Sequence, residues 1–177
     1  MAVHVIWDND GILVDTERLY FQATQEIMRQ VGYELTEATY RQHFLKNSLG
    51  TWHVLQSQGV PEAEIERMRA ERDARYETLI QVEEVSIDGA GDVLAELHGK
   101  HRMAVATSNR KDYFDLIHAK TGFARYFEVV VTADDVVATK PDPALYLRAL
   151  EGLGVAASEC VAFEDSERGV QSAKGAG

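Results

Sequence analysis

The segment that decides the fold is His4-Val5-Ile6-Trp7-Asp8-Asn9-Asp10-Gly11, an apolar run that ends abruptly in two carboxylates and a glycine. Its first four residues predict a buried strand, because apolar residues fill it with little polar alternation. In a parallel sheet, ligands bind beyond the carboxyl ends of the strands, so Asp8 and Asp10 stand where a functional cluster is expected. Two carboxylates this close repel each other unless a cation or a shared proton intervenes, and Mg²⁺ with oxygen ligands fulfils that need.

Two other interpretations of this segment stay open at this point. Asp, Asn and Gly are common turn formers, so the segment could be a simple turn. A Ca²⁺ loop also has closely spaced oxygen ligands, but Ile12, Leu13 and Val14 follow where an EF-hand supplies further oxygens. The segment alone is therefore as compatible with a turn as with a functional site.

Three later apolar runs, at residues 103–107, 127–132 and 160–163, also read as buried parallel strands. Helical segments at 112–120 and 143–153 lie between them, with a proline suited to the first turn of the second helix and a glycine at its exit. Strands alternating with helices at this spacing predict an α/β domain with a doubly wound, mainly parallel, Rossmann-like sheet.

Residues 15–83 differ, because they contain no convincing strand and read as successive helices. Apolar residues recur at every fourth position over 19–31, and a second helix runs over about 61–80. We therefore predict an inserted all-α cap domain over one end of the sheet, with 1–14 and 84–177 forming the α/β core.

The charge balance restricts the partners. The formal net charge is −11, from 29 acidic and 18 basic residues among 177. This balance repels nucleic acid and anionic lipid, so neither nucleic acid nor a membrane is an expected partner. The one cysteine, Cys160, excludes an internal disulfide, and neither a signal peptide nor a membrane span is legible, so a cytoplasmic location is predicted.

The other three strand ends also carry polar groups: Thr107-Ser108-Asn109, then Lys140, then Glu164-Asp165. Each has an ordinary explanation by itself, since hydroxyl, amide and acidic residues cap helices and a lysine near prolines is usually a solvated loop charge. Together, however, four strand ends supply two aspartates, a hydroxyl, a lysine and an acidic pair. This combination favours phosphate chemistry over a chance arrangement of turns and caps.

These motifs, in this order and spacing, resemble those of the haloacid dehalogenase-like superfamily over almost the whole chain. Residues 8–17 are similar to its first motif, and the second to fourth motifs correspond to Thr107-Ser108-Asn109, Lys140-Pro141-Asp142-Pro143, and Glu164-Asp165-Ser166 with Gly169. The helical insert resembles the cap of the branch that contains β-phosphoglucomutase and many sugar-phosphate phosphatases.

The resemblance implies a hydrolase that acts on phosphate monoesters through an aspartyl-phosphate. Asp8 would be the nucleophile, and Asp10 would protonate the leaving oxygen and then activate water. Thr107 and Lys140 would hold the oxygens of the transferring phosphoryl group.

The same resemblance implies Mg²⁺ as the cofactor. Asp8, the backbone carbonyl of Asp10 and Asp165 would be its ligands, and Glu164 would contribute directly or through water.

The expected substrate is a small phosphorylated metabolite, such as a sugar phosphate or a nucleotide. Candidate substrate-binding residues are Ser108, Asn109 and Arg110 in the core and Lys46 and Asn47 in the cap. The sequence indicates no oligomeric state.

Several alternatives remain. A phosphomutase of the β-phosphoglucomutase type is disfavoured because Tyr20 stands where we align a cap histidine of those enzymes. The dehalogenases of the superfamily lack an aspartate at the position of Asp10, so cleavage of a carbon–halogen bond is disfavoured as well. A non-enzymatic receiver domain is also phosphorylated on an aspartate, but such a domain has no long insert after its first strand, which counts against this alternative. Relatives usually continue beyond the fourth motif into another strand, so an inactive member truncated at the C-terminus is a further alternative.

Overall fold

A computed structural model of the protein describes residues 3–42 and 52–177. The chain divides into two compact units, one made of Met1–Thr16 with Glu84–Gly177 and the other of Glu17–Glu83. The first unit holds the strands, and the second is built from helices.

The second unit contains helices α1 (Glu17–Gln30), α2 (Glu37–Tyr40), α3 (Trp52–Ser57) and α4 (Glu62–Val82). Helices α1 and α4 pack against each other, and Arg75 of α4 binds both carboxylate oxygens of Glu26 of α1 at 2.6 and 3.2 Å. Apolar side chains from these helices and from the segment between α1 and α2 form a core cluster: Ile27, Met28, Leu35, Tyr40, Trp52, Leu55, Ile65 and Met68.

The predicted apolar face of α1 is wrong at its last member. Val31 is 40% exposed, and Met28 is fully buried in its place. The reason is that the helix ends at Gln30, where Gly32 takes a left-handed φ of 79° and the N–H of Tyr33 turns back to the carbonyl of Met28.

Within its described residues, the first unit has four strands: β1 (His4–Trp7), β2 (Met103–Ala106), β3 (Val129–Val131) and β4 (Cys160–Phe163). All pairs are parallel, and the order across the sheet is β3-β2-β1-β4. The chain thus steps outward from β1 to β3 and then crosses to place β4 on the free side of β1. This arrangement confirms the predicted α/β class with a parallel sheet and a helical insert.

Four helices accompany this sheet: α5 (Ala90–Leu97), α6 (Lys111–Thr121), α7 (Ala144–Leu153) and α8 (Glu167–Gly175). Helix α7 packs on β2 and β3 and begins at Ala144, one residue later than predicted, because Pro143 is its N-cap. As predicted, it ends at Leu153, and the glycine that follows, Gly154, has a left-handed φ of 64°. The third strand is shorter than predicted, because the N–H of Phe127 is bound to the carbonyl of Ala124 at the end of a 3-10 turn.

Strand β4 departs from the expectation that both faces of each strand are covered. Val161 is 45% exposed and Phe163 is 43% exposed, whereas every residue of β2 is buried. Strand β4 lies at the edge of the described sheet. The ring of Phe163 is partly covered by the ring of Trp7 on β1, which stacks on it with 4.6 Å between centroids. Among the helices within the described ranges, none has the length and apolar character needed to cross a membrane.

Candidate active site

The strand order brings the first and last motifs side by side. The order in which strands are added reverses between β1 and β4, and the crevice at such a switch point is where ligands bind in open α/β sheets. The register pairs Trp7 with Phe163, and the N–H of Asp8 donates to the carbonyl of Phe163 at 3.0 Å. Asp8 and Glu164, one residue further along each strand, therefore emerge next to each other.

Lys140 links these two carboxylates. Its Nζ lies 2.6 Å from Oδ1 of Asp8 and 2.6 Å from Oε1 of Glu164, and the lysine is only 5% exposed. A charge this deeply buried is tolerated because it is paired, and removal of one partner from such a pair typically costs about 3–5 kcal/mol. Tyr146 of α7 completes the group, since its hydroxyl donates to Oε1 of Glu164 at 2.6 Å.

The Asp8 carboxylate is held on one of its two oxygens. Oδ1 accepts a hydrogen bond from the N–H of Asn9 at 2.7 Å and is also paired with the ammonium group of Lys140. These two contacts fix the orientation of the Asp8 side chain. Burial raises the pKa of Asp8, and the negative charges of Glu164 and Asp10 act in the same direction, while Lys140 opposes them. A further cation beside Asp8 would therefore favour the ionised form that a nucleophile needs.

Asp10 points away from that group, into a set of hydrogen-bond donors. Its Oδ1 accepts the hydroxyl of Thr16, and its Oδ2 accepts Nδ2 of Asn109 at 2.8 Å and Nδ2 of Asn9 at 3.4 Å. Burial raises the pKa of Asp10, and the three donors oppose that effect. A carboxyl group whose pKa is raised in this way is suited to general acid–base work.

Three carboxylates meet at the exit of β1 and β4. Asp8, Glu164 and Asp165 each offer one oxygen, and these oxygens lie within 4.8 Å of one another. Burial and the neighbouring Glu164 raise the pKa of Asp165. Among the described residues this is the one group of acidic, histidine or cysteine side chains close enough to hold a metal ion.

Gly11 makes room for this group. Its φ of +79° is left-handed, and a Cβ built on it would lie 2.0 Å from Oδ2 of Asp165. Gly169 makes room for Glu164 in the same way, since a Cβ built on Gly169 would lie 1.8 Å from Oε2 of Glu164. Both glycines of the motifs are thus required by the position of an acidic side chain.

We expect Gly11→Ala to lower activity by about 100-fold or more, because the displaced Asp165 can no longer join the other two carboxylates. The matched control is Gly99→Ala, at a φ of +76° with open space around the added methyl group. Both variants should lose about 1 kcal/mol of stability from backbone strain. Thermal unfolding and steady-state rates of the two proteins check this, and equal activity losses in both would contradict the role of Gly11.

The second motif reaches the site only in part. Asn109 contacts Asp10, and Thr107 is fully buried at the end of β2, where its Oγ1 accepts the N–H of Asn109 at 3.0 Å. Ser108 is exposed. Arg110 is held by Asp112, to whose Oδ1 its Nε donates at 3.0 Å, and its guanidinium covers the ring of Tyr113.

The two cap candidates, Lys46 and Asn47, lie outside the described residues. Within the described part of the second unit, the buried cation is Arg72. It is paired with Asp73 at 2.7 Å and lies over the rings of Tyr20 at 4.2 Å and Trp52 at 5.7 Å.

Sequence reasoning gave no role at the site to Asn9 and Thr16, which belong to the first motif, or to His118 and Tyr146, which contact Asn9 and Glu164. Thr16 could have been noticed, because it falls within the first motif. Tyr146 lies six residues after Lys140, on the face of α7 that is buried against the sheet. His118 is 109 residues from Asn9, and no local pattern indicates that pairing.

A family model described as haloacid dehalogenase-like hydrolase matches residues 5–177. Fructose-1-phosphate phosphatase YqaB of Escherichia coli is 31% identical over 182 residues, which cover 98% of this chain and 92% of that protein. A phosphorylated carbohydrates phosphatase of Thermotoga maritima is also 31% identical, over 98% of this chain and 81% of its own length.

Solved structures agree with these matches. CbbY from Rhodobacter sphaeroides, crystallised in complex with xylulose-(1,5)bisphosphate, superposes with a TM-score of 0.82 at 26% identity, over 99% of this chain and 83% of that one. A β-phosphoglucomutase from Clostridium difficile superposes with the same TM-score of 0.82 at 20% identity, which speaks for the fold alone.

Proposed function

The chain belongs to the haloacid dehalogenase-like hydrolase family, and from that membership and the geometry of the site we propose that it is a Mg²⁺-dependent phosphatase of small phosphate monoesters. Residues 1–14 and 84–177 are assigned as the catalytic core and residues 15–83 as the cap. The observation that carries the proposal is the bridge from Lys140 to Asp8 and Glu164 beside the three-carboxylate group. A buried lysine and a cation site at one nucleophilic carboxylate are what a phosphoryl group requires.

The acidic group fits Mg²⁺, which takes carboxylate and carbonyl oxygens and keeps several waters. The fit rests on three converging oxygens and on Gly11, whose missing side chain leaves the space that Asp165 fills. Asp8, Asp165 and the backbone carbonyl of Asp10 would hold the ion, with Glu164 contributing directly or through water. When bound, the ion supplies positive charge that offsets the charge of the phosphoryl group and the carboxylates.

In the first half of the reaction, Asp8 displaces the alcohol. A carboxylate oxygen of Asp8 forms a bond to phosphorus while the bond from phosphorus to the ester oxygen breaks, and Asp10 gives its proton to that leaving oxygen. Lys140 is paired with Oδ1 of Asp8, and in this proposal its ammonium group also binds the transferring oxygens. The hydroxyl of Thr107 is assigned as a second donor to those oxygens: its Oγ1 accepts the N–H of Asn109, and that bond does not use the hydroxyl hydrogen.

In the second half, water replaces Asp8 on phosphorus. Asp10, now ionised, removes a proton from the attacking water, and the bond between phosphorus and the Asp8 oxygen breaks to release inorganic phosphate. The three donors around Asp10 suit this half, because they stabilise its ionised form. One carboxyl group thus alternates between acid and base.

The substrate class we propose is a phosphorylated sugar or a similar metabolite. It is supported by YqaB and the Thermotoga maritima enzyme, whose names specify phosphorylated carbohydrates, and by the bisphosphate bound to CbbY. Ser108, Asn109 and Arg110, with Lys46 and Asn47 in the cap, stay candidates for substrate recognition. Arg110 would have to exchange its partner Asp112 for a substrate anion. The cytoplasmic location stays a prediction.

The proposal is tested by measuring phosphate release from sugar phosphates, nucleotides and p-nitrophenyl phosphate, in Mg²⁺ and in chelator. We expect release that needs Mg²⁺ and is fastest with one class of sugar phosphate. Conversion of a sugar 1-phosphate to its 6-phosphate without net release would indicate a phosphomutase instead. A folded protein that releases no phosphate from any of these esters would contradict the proposed function.

A further inference from the structure

Asn9 and His118 form a buried polar pair that the reaction proposed above does not use. Asn9 is fully buried, His118 is 3% exposed, and Nε2 of His118 lies 2.8 Å from Oδ1 of Asn9. Asn9 sits between the two motif aspartates, and His118 lies on α6. Two apolar side chains could fill this space without any polar group to satisfy, so the pair calls for an explanation.

The surroundings of His118 keep its imidazole neutral. The ring of Phe114 lies 4.2 Å away and that of Phe123 lies 6.0 Å away, centroid to centroid. Burial lowers the pKa of His118 to about 4, while the charge of Asp115 opposes this weakly. At neutral pH, therefore, one ring nitrogen carries a hydrogen and the other has a free lone pair.

The partners decide which nitrogen carries the hydrogen. If the amide of Asn9 were turned over, its oxygen would face the carboxylate of Asp10, where two acceptors would repel each other. The amide oxygen therefore faces His118, and Nε2 is the donor. Nδ1 then accepts the hydroxyl hydrogen of Thr121 at 2.8 Å, and Oγ1 of Thr121 in turn accepts the N–H of Phe123 at 3.2 Å.

In this series of hydrogen bonds, each group consequently donates to the next one in the direction from α6 towards Asp10. The last link is Nδ2 of Asn9, which lies 3.4 Å from Oδ2 of Asp10. The backbone of the same residue donates to Oδ1 of Asp8 at 2.7 Å. Asn9 thus touches both motif carboxylates, and His118 is the group that orients its side chain.

We infer that His118 is a positioning residue for catalysis: its Nε2–H fixes the amide of Asn9, and the amide holds Asp10 in the orientation that delivers a proton to the leaving oxygen. This inference rests on the proposed function, because it concerns the acid–base role of Asp10. His118 does not touch the substrate or the reacting atoms; it acts through Asn9.

The test compares His118→Phe with His118→Gln. Phe keeps the bulk of the ring and removes the donor, whereas Gln keeps an N–H near the position of Nε2. For each protein, kcat/KM is measured with a sugar phosphate and with p-nitrophenyl phosphate. An alkyl oxygen needs a proton to leave and nitrophenolate does not, so misplacement of Asp10 should affect the two esters unequally.

We expect His118→Phe to lower kcat/KM for the sugar phosphate by about tenfold and that for p-nitrophenyl phosphate by less than about threefold. His118→Gln should restore the parental ratio of the two. In an Asn9→Leu background, His118→Phe should change the ratio no further, since the link is already absent. Equal losses for both esters in His118→Phe would reflect packing alone and would overturn the inference.

A second measurement does not depend on activity. Nitrogen-15 spectra of the histidine side chains report which ring nitrogen is protonated, and we expect the Nε2–H form for His118 at neutral pH. The Nδ1–H form or a charged ring would overturn the inference. Phosphate release that survives Asp8→Asn would instead contradict the proposed function, so the two failures are distinguishable.

Discussion

The Asp8→Asn variant is expected to lose Mg²⁺-dependent phosphate release by at least about 10⁴-fold, the scale on which removal of a covalent nucleophile acts. An amide at this position has nearly the same shape as the carboxylate but cannot attack phosphorus. It can still accept the N–H of Asn9, and Lys140 keeps Glu164 as its partner. The fold should therefore survive, and a stopped assay of phosphate release with thermal unfolding of the same sample measures both effects.

The control for Asp8→Asn is Asp88→Asn, which removes an exposed carboxylate from the same unit. We expect Asp88→Asn to keep the parental rate within about twofold, because an exposed substitution outside the motifs changes stability by no more than about 0.5 kcal/mol. Turnover of the Asp8 variant above about 1% of the parental rate would exclude Asp8 as the nucleophile.

Asp10→Asn is expected to lower kcat by about 10²–10⁴-fold, the usual worth of a general acid–base group. The backbone carbonyl assigned to Mg²⁺ is retained, so the concentration of Mg²⁺ that gives half-maximal stabilisation against heat should be nearly unchanged. Rates with a sugar phosphate and with p-nitrophenyl phosphate measure the loss.

The leaving group separates chemistry from misfolding in this variant. For Asp10→Asn, kcat/KM should fall more with the sugar phosphate than with p-nitrophenyl phosphate, because only the alkyl oxygen needs a proton to depart. Equal losses with both esters, or a large shift in the Mg²⁺ requirement, would contradict an acid–base role for Asp10.

The sequence was sufficient to predict the class of fold and the strand ends at which polar groups gather. Asp8 and Glu164 could be placed together because the carboxyl ends of parallel strands meet at one edge, and a buried strand is legible from its apolar run. Lys140 does not stand at a strand end, since it lies in the segment between β3 and α7. The structure adds the register of Trp7 with Phe163, which makes Asp8 and Glu164 immediate neighbours. Register depends on long-range pairing, and a single sequence does not encode it in any local pattern.

Two other features could not be predicted from local sequence patterns, because they also depend on long-range packing. The exposure of Val161 follows from the position of β4 at an edge of the described sheet, while its composition is that of a covered strand. The pairing of Asn9 with His118 depends on which face of α6 packs under the first motif. A periodic face predicts that a helical residue is buried, but it does not identify the partner that a buried histidine finds.

The measurement that tests the central claim most directly is to trap the phosphoryl group on the protein. The enzyme is mixed with a preferred sugar phosphate and Mg²⁺, quenched in acid within the first turnover, digested and analysed by mass spectrometry. We expect a phosphoryl group on the peptide that contains Asp8, removed by hydroxylamine as acyl phosphates are, and absent from Asp8→Asn. Rapid phosphate release with an unmodified Asp8 peptide at every quench time, or a phosphoryl group on another residue, would contradict transfer to Asp8.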